Sequence, residues 1–423
     1  MNAEQRAVLE HVVAGHNVFM TGGAGVGKSF TLGHVIEWAE GAGKNVGVCA
    51  MTGAAAVLLP AGATTLHSFM GIGLGKDDVE HLCRKIKKKA PVLEKLKELD
   101  LLIVDEVSML NDELFVKVSQ VLKCLRRVNK PFGGVQMLLV GDPFQLMPVE
   151  GAPCFLSPEW ADAGFTVCTL VANMRQKDDT EFKALLDRVR LGDCSSQDLA
   201  TLQALKTTEF PPDIVPTRLY AINARVDEIN EIHMERLLLD GRQAITYRLK
   251  YGGNASSKVL SKKWAETIKM RPEITLCVGA QVMLTRNICI ESRLVNGARG
   301  VVDAVTPKTV SVRWTSGAIS VVEFFKISTL KYPYKVDKQT DTDEEINVAY
   351  MPLQLAWAIS IHKSQGMTLD AVEVDLGSSI FAGGQAYTAL SRARSFDSIK
   401  LIDVRASSFH VNPRVLSLET LGL

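Results

Sequence analysis

Gly22-Gly23-Ala24-Gly25-Val26-Gly27-Lys28-Ser29 is the stretch on which the reading of the fold turns. It fits G-x-x-x-x-G-K-[ST], a loop that curls its backbone N–H groups around phosphate oxygens. Glycines permit the tight curl and the close approach of backbone to ligand. In that geometry a lysine at position 28 reaches the β- and γ-phosphates, and the Ser29 hydroxyl ligates Mg2+. The flanks agree with this. Val18-Phe19-Met20 reads as a short buried strand, and a helix follows that stops near Gly41, which puts the phosphates at a helix N-terminus.

Outward from the loop, residues 1–180 alternate strand-like and helix-like segments. Val46-Gly47-Val48-Cys49-Ala50, Leu101-Leu102-Ile103-Val104 and Met137-Leu138-Leu139-Val140 are short apolar runs. Such runs suit a parallel sheet covered on both faces. Chemistry then belongs just beyond the strands' C-terminal ends, where Thr52-Gly53, Asp105-Glu106 and Gly141-Asp142 follow. Adjacent acids divide the labour: Asp105 suits the Mg2+ shell, and Glu106 suits orienting or deprotonating a water. Gln145, in the segment Gly141–Pro148, reads equally as a γ-phosphate sensor and as an exposed loop glutamine.

The chain has 423 residues, room for two to four domains. With 47% hydrophobic and 22% charged residues it has the composition of a soluble globular protein. No apolar run approaches the ~18 residues of a membrane span, so no membrane partner is expected. Met1–Gln5 lacks the basic and apolar regions of a signal peptide. The eight cysteines are scattered, without C-x-x-C or zinc spacing, which fits a reduced intracellular compartment. A net charge of +1 argues against a broadly basic coat but leaves room for a local basic groove.

Composition changes after Gly62, where Gly71, Gly73 and Gly75 suggest a loop or small insertion. Arg84, Lys85, Lys87, Lys88, Lys89, Lys95 and Lys97 form a basic helical segment, read as a solvated face in preference to a nucleic-acid contact. Residues 181–240 look helical, with a strand near Arg218–Ala221. From 271 to 350, glycines punctuate alternating runs such as Thr309-Val310-Ser311-Val312-Arg313-Trp314, the pattern of an antiparallel β module. The α/β pattern returns after 351, with Val372–Leu376 as a strand. The β module is therefore expected as an insertion in a second α/β domain.

The motifs, in order, resemble those of superfamily 1B helicases: Gln5, the Gly22–Ser29 loop, Thr52-Gly53-Ala54-Ala55-Ala56, Thr65-Leu66-His67-Ser68-Phe69, Asp105-Glu106-Val107-Ser108-Met109 and Gly141–Pro148. The set continues with Met174-Arg175-Gln176, Ile361-His362-Lys363-Ser364-Gln365-Gly366-Met367-Thr368 and Tyr387-Thr388-Ala389-Leu390-Ser391-Arg392-Ala393-Arg394. Asn129–Gln136 and Leu294-Val295-Asn296-Gly297 resemble the Pif-type (petite integration frequency) DNA helicases in particular. Pro143 and Met147 depart from the usual third motif.

That resemblance implies an α/β fold of two RecA-like P-loop NTPase domains, a small wedge insertion and an inserted SH3-like β-barrel. The expected boundaries are 1–61 and 83–180 for the first domain, 62–82 for the wedge, 181–270 and 351–423 for the second domain, and 271–350 for the barrel. ATP is expected between the two domains, bound by Gln5 (adenine) and by Gly23, Ala24, Gly25, Val26, Gly27, Lys28, Ser29 and Phe30. Mg2+ falls to Ser29 and Asp105, water activation to Glu106, and γ-phosphate sensing to Gln145. Arg175 and Arg392 resemble the arginine fingers that meet charge on the transferring phosphoryl group; Arg394 competes with Arg392 for that role.

Sequence-tolerant contacts to a nucleic-acid backbone need hydroxyl, amide and basic groups. Thr52, Thr65 and His67 supply them in the first domain, and His362, Lys363 and Ser364 in the second. The resemblance turns these residues, with Asn296 of the barrel, toward single-stranded DNA. Phe69 and Trp357 are expected in the core. The implied activity is an ATP- and Mg2+-dependent 5′-to-3′ DNA helicase acting on single strands and forks, expected as a monomer; polarity comes from the resemblance alone. An RNA helicase or RNA–protein remodeller is the alternative on the same motor. A small-molecule kinase would not need the second set of motifs after residue 351.

Overall fold

Why the short apolar runs become strands is visible in where their side chains go. The computed structural model describes residues 1–423 apart from 53–54, 57–58, 60–62, 74, 173–178, 211–215, 268–269, 287, 290–291, 293, 295–297, 316, 331–344, 370 and 417–423. Six strands form the first sheet: β1 (Val18–Gly22), β2 (Val46–Ala50), β3 (Thr64–Thr65), β4 (Leu101–Asp105), β5 (Gln136–Gly141) and β6 (Thr166–Leu170). Their order is β3-β2-β4-β5-β1-β6, and every pairing is parallel. Successive side chains enter opposite cores. Phe19, Leu102, Val104 and Leu139 pack with the helix Asp112–Arg126. Val18, Met20, Ile103 and Val140 pack with the helices Ala3–Val13 and Lys28–Gly41. The strands outlast the apolar runs, as β1 does through Thr21 and Gly22, because the ladder is made by backbone groups.

Register aims the polar residues. Leu139 pairs with both Phe19 and Val104, so β1, β4 and β5 run level. The phosphate loop, Asp105-Glu106 and Asp142 consequently leave the sheet at one edge, the C-terminal one.

The second sheet has the order Ala358–Ser360, β7 (Thr217–Tyr220), Val372–Leu376, Ile399–Val404. Its last three strands are parallel. Residues Met1–Asn223 and Ile359–Leu423 form one compact unit that includes both parallel sheets. The helix Thr180–Leu191, expected in the second domain, packs Phe182 against Phe396 beside the second sheet and reaches the first sheet's edge through Arg190, which pairs with Asp142.

Within 62–82, the expected wedge, Thr64-Thr65 pairs with β2 at the sheet's edge. Leu66, Phe69, Met70, Ile72 and Leu82 are in the first sheet's core. The basic segment that follows is two helices, Val79–Lys87 and Ala90–Glu98, the second with Pro91 in its first turn. Lys95 is exposed, yet its Nζ donates to Phe69 O at 2.8 Å and lies 3.8 Å from the centre of that ring.

Residues Ala224–Ala358 form a second unit. Its main sheet is antiparallel: Ile319–Glu323, Thr309–Trp314, Arg299–Val305, Gln281–Leu284, Leu353–Leu355. Val310, Val312 and Trp314 alternate into its core, where Trp357 also lies. At Gly300 a Cβ would fall 2.6 Å from the Arg313 carbonyl oxygen, so the strands meet there only through glycine. The unit extends beyond 271–350 because its strands find partners outside that range: Glu273–Cys277 pairs with Ala244–Arg248, and Gln281–Leu284 with Leu353–Leu355. Among the described residues no helix is long and apolar enough to cross a membrane.

Candidate active site

Glycine geometry shapes the phosphate loop. Gly22 has φ 145°, and a Cβ there would sit 2.3 Å from Leu170 O. Gly25 and Gly27 are left-handed, with φ of 83° and 86°. The helix Lys28–Gly41 starts directly after Gly27, and no side chain caps it, so its first amides are available to an anion. Lys28 Nζ donates to Gly22 O at 2.8 Å and Gly23 O at 2.9 Å. Burial pulls the Lys28 ammonium below the usual lysine range, against the opposing pull of Asp142, Glu106 and Asp105.

Three carboxylates stand around that lysine. Asp105 ends β4, and its Oδ1 accepts from Glu106 N at 2.8 Å. Burial, and then the charge of Glu106, push Asp105 up to about 7. Glu106 sits in the left-handed region, with φ 55° and ψ 39°, a costly conformation for a residue with a Cβ and one that clusters at functional sites. Asp142, after β5, is fully enclosed. Burial acts to raise its pKa, but Arg190 and Lys28 outweigh it and hold the carboxylate below its ordinary range. Gln145 is buried, and its Nε2 lies 3.5 Å from Asp142 Oδ2.

The second sheet contributes from the opposite side. Gln365, which ends the helix Ile361–Ser364, donates from Nε2 to Glu106 Oε2 at 2.9 Å and to Ser108 Oγ at 3.3 Å. Tyr387, on the helix Gln385–Leu390, accepts from Ala24 N at 2.8 Å and donates to Asp142 Oδ2 at 3.0 Å. Arg392 is buried and donates to Thr388 O, Met367 O, Ser364 O and Ser391 Oγ. Burial lowers its pKa, while Glu106, Tyr387 and Asp142 act to raise it.

A triphosphate with a divalent cation fits the residues present. Burial and the neighbouring Glu106 raise the Asp105 carboxyl, an environment that a bound cation would relieve. Gln145 Oε1 and Gln365 Oε1 are buried oxygens with no hydrogen-bond partner among the described residues, an arrangement that asks for a cation, water or ligand donor. The uncapped helix and the loop glycines complete the cradle.

The remaining expected residues divide. Gln5 is buried and acts in a capping box: its Oε1 accepts from Asn2 N and its N donates to Asn2 Oδ1. Phe30 is 55% exposed, its ring 4.7 Å from that of His34, and Ser29 is exposed. Thr52 Oγ1 accepts from Ala55 N, and Thr65 Oγ1 caps the helix Leu66–Met70 through Ser68 N. His67 and His362 are both lowered by burial; His362 stacks near exposed Phe381, ring centres 6.5 Å apart. Lys363 is exposed. Ser364 is buried, its hydroxyl donating to Ile361 O at 2.8 Å. Arg175 and Asn296 lie outside the described residues.

Sequence reasoning gave no role to Arg190, Gln365 or Tyr387. The last two lie inside quoted motifs, Gln365 directly after Ser364; position in a motif was the available signal. Arg190 carried none beyond a cation in the last turn of a helix. It pairs with Asp142 at 2.9 Å and lies 4.2 Å from the Phe144 ring centre.

A parallel α/β sheet with a phosphate loop at its edge, faced by a second parallel sheet carrying a buried arginine, defines a P-loop NTPase of the RecA-like class. The family profile of PIF1-like helicases matches residues 1–200. The ATP-dependent DNA helicase PIF1 of Homo sapiens is 36% identical over 425 residues, covering 98% of this chain and 63% of the human protein. The chain thus spans less than two thirds of that relative's length. The Pif1 helicase of Candida albicans has a crystal structure that superposes with a TM-score of 0.88 at 32% identity, covering 100% of this chain and 99% of that one. A Bacteroides Pif1 helicase in complex with ADP-AlF3 and ssDNA superposes at 0.79 with 28% identity, covering 100% and 96%. The chain belongs to the PIF1-like helicase family.

Proposed function

We propose that this protein is an ATP- and Mg2+-dependent 5′-to-3′ DNA helicase that moves along single-stranded DNA as a monomer and opens duplexes at forks. The observation that carries the reading is the meeting of Lys28, Asp105, Glu106 and Asp142 with Gln365, Tyr387 and Arg392 from the second sheet. The Bacteroides relative's complex with a nucleotide analogue and single-stranded DNA supports it. The names of the relatives favour DNA over the RNA alternative.

In this mechanism Lys28 leaves the Gly22 and Gly23 carbonyls for phosphate oxygens. Ser29 and Asp105 would hold Mg2+, which supplies charge neutralisation on the phosphates. Glu106, with Oε2 engaged by Gln365, takes the proton of the attacking water. Gln145 senses the γ-phosphate, and Gln5 and Phe30 lie on the adenine side. Arg175 and Arg392 act as fingers, and engaging Arg392 draws the second sheet inward. Thr52, Thr65, His67, His362 and Lys363 track the DNA backbone. Ser364, with its hydroxyl turned inward, contributes through its segment's backbone. The reading also assigns residues 62–82 to the wedge and the five-stranded antiparallel sheet to the SH3-like barrel, with Asn296 near DNA.

Duplexes with 5′ and 3′ single-stranded tails test this. Strand separation is expected on the 5′-tailed substrate only, and only with ATP. Preference for the 3′ tail, or for matched RNA, would overturn it.

A further inference from the structure

One peptide of the phosphate loop is held from both ends. The Gly23 carbonyl accepts from Lys28 Nζ at 2.9 Å, and the Ala24 N–H of the same peptide donates to the Tyr387 hydroxyl at 2.8 Å. The ring belongs to the second sheet's side, 363 positions along the chain from Ala24. A tyrosine hydroxyl has a single proton, and Tyr387 gives it to Asp142 Oδ2 at 3.0 Å, so toward Ala24 it acts as acceptor. Asp142 is in turn fixed by Arg190. Tyr387 and Asp142 are buried, so this connection does not compete with bulk water.

Phosphate-loop amides exist to receive phosphate oxygens. The Ala24 N–H cannot donate fully to a phosphate and to Tyr387 at once. Lys28, at the other end of the peptide, is the group that reaches the terminal phosphates, so this peptide borders that end of a bound nucleotide. Displacing Tyr387 would also reach Arg392. The helix Gln385–Leu390 runs into it, and Arg392 Nε donates to Thr388 O, one residue after Tyr387.

We propose that Tyr387 senses the terminal phosphate: its hydroxyl holds the Ala24 amide until the γ-phosphate of a nucleoside triphosphate takes that amide, whereas a diphosphate leaves the tyrosine in place. The inference rests on the proposal that this loop binds nucleoside triphosphate. It makes Tyr387 the contact through which the second sheet distinguishes triphosphate from diphosphate, ahead of any movement of Arg392.

The test is Tyr387→Phe in the full chain, which keeps the buried ring and removes only the oxygen. Equilibrium binding of a fluorescent non-hydrolysable ATP analogue and of fluorescent ADP is measured for both proteins. Loss of the competing acceptor should tighten the analogue about three- to tenfold and move ADP less than about twofold. Unchanged analogue affinity, or an equal change for both nucleotides, would overturn the proposal. Wild-type protein that binds neither nucleotide would overturn the phosphate-loop reading itself, and this inference with it. A second measurement needs no loss of the hydroxyl. Fluorotyrosine in place of Tyr387 should show a fluorine resonance that shifts with the triphosphate analogue and stays put with ADP; a resonance indifferent to the analogue counts against the proposal.

Discussion

The edge of the first sheet and the segment that follows the second sheet's Val372–Leu376 strand each enclose a cation, and they hold it in opposite ways. Lys28 rests on two loop carbonyls amid Asp105, Glu106 and Asp142, with Arg190 as a further cation. Arg392 donates to three carbonyls and one hydroxyl of its own neighbourhood and, among the described residues, pairs with no carboxylate directly. The first region sets three carboxylates against two cations, and Gln145 Oε1 has no hydrogen-bond partner among the described residues. In the second, the Arg392 guanidinium is engaged by four acceptors, although Gln365 Oε1 and Thr388 Oγ1 have no partner among the described residues. A triphosphate therefore has to draw Lys28 from two loop carbonyls but Arg392 from four acceptors. That asymmetry is the physical opening for motion: differential contacts in two states are what a ligand can use to shift a conformation.

The largest effect should come from the second wall. Arg392→Ala is expected to lower single-turnover hydrolysis by about 10³-fold or more, the scale of a lost arginine finger, with a much smaller change in nucleotide affinity. Rapid-quench measurement with radiolabelled ATP reads the rate, and thermal melting reads the structural share. A variant that melts early yet hydrolyses at a normal rate per folded molecule would break the comparison. It would leave Arg392 as a staple for the Thr388 and Met367 carbonyls.

Much of the first wall was legible in the chain, and the reason is local. Val46–Ala50 and Val372–Leu376 are strands with the bounds their apolar runs suggested. Lys28, Asp105 and Glu106 sit within a few residues of the strand ends that aim them. The cross-sheet pairs were not legible. Tyr387 with Ala24, Gln365 with Glu106 and Arg190 with Asp142 are separated by 363, 259 and 48 positions, and no periodicity carries such a separation. Composition also could not show the contacts within the basic segment, where exposed Lys95 folds back onto Phe69 and Lys85 pairs with Asp77. The β module's limits moved because strand pairing, not composition, ends a sheet.

A smaller effect sharpens the account of the first wall. Burial and Glu106 push Asp105 up to about 7, whereas Arg190 and Lys28 hold Asp142 below the ordinary carboxylate range. A cation bound at Asp105 must displace its proton when the pH is lower than this value. Divalent-ion affinity in the presence of nucleotide should fall about tenfold for each pH unit below ~7 and level off above it. Calorimetric titration across that range measures it. Asp105→Asn should remove the slope along with the affinity, and a slope that survives would move the titrating group elsewhere.

The smallest expected effect decides how the two walls communicate. Gln365 touches Glu106 Oε2 and Ser108 Oγ, and it directly follows the segment expected to meet DNA. Removing one hydrogen bond to a carboxylate leaves Glu106 in its left-handed backbone with less to hold its side chain. Gln365→Ala should therefore lower DNA-stimulated turnover about fivefold, near 1 kcal/mol in the barrier, with KM for ATP nearly unchanged. Steady-state hydrolysis with and without single-stranded DNA separates two roles for the contact. Equal losses in both conditions mean that Gln365 only steadies Glu106. A loss confined to the DNA-bound rate means that the strand acts on the water-activating group through this amide. A rise in the DNA-free rate would instead make the contact a restraint on Glu106, with the second wall holding the first idle until the track is occupied.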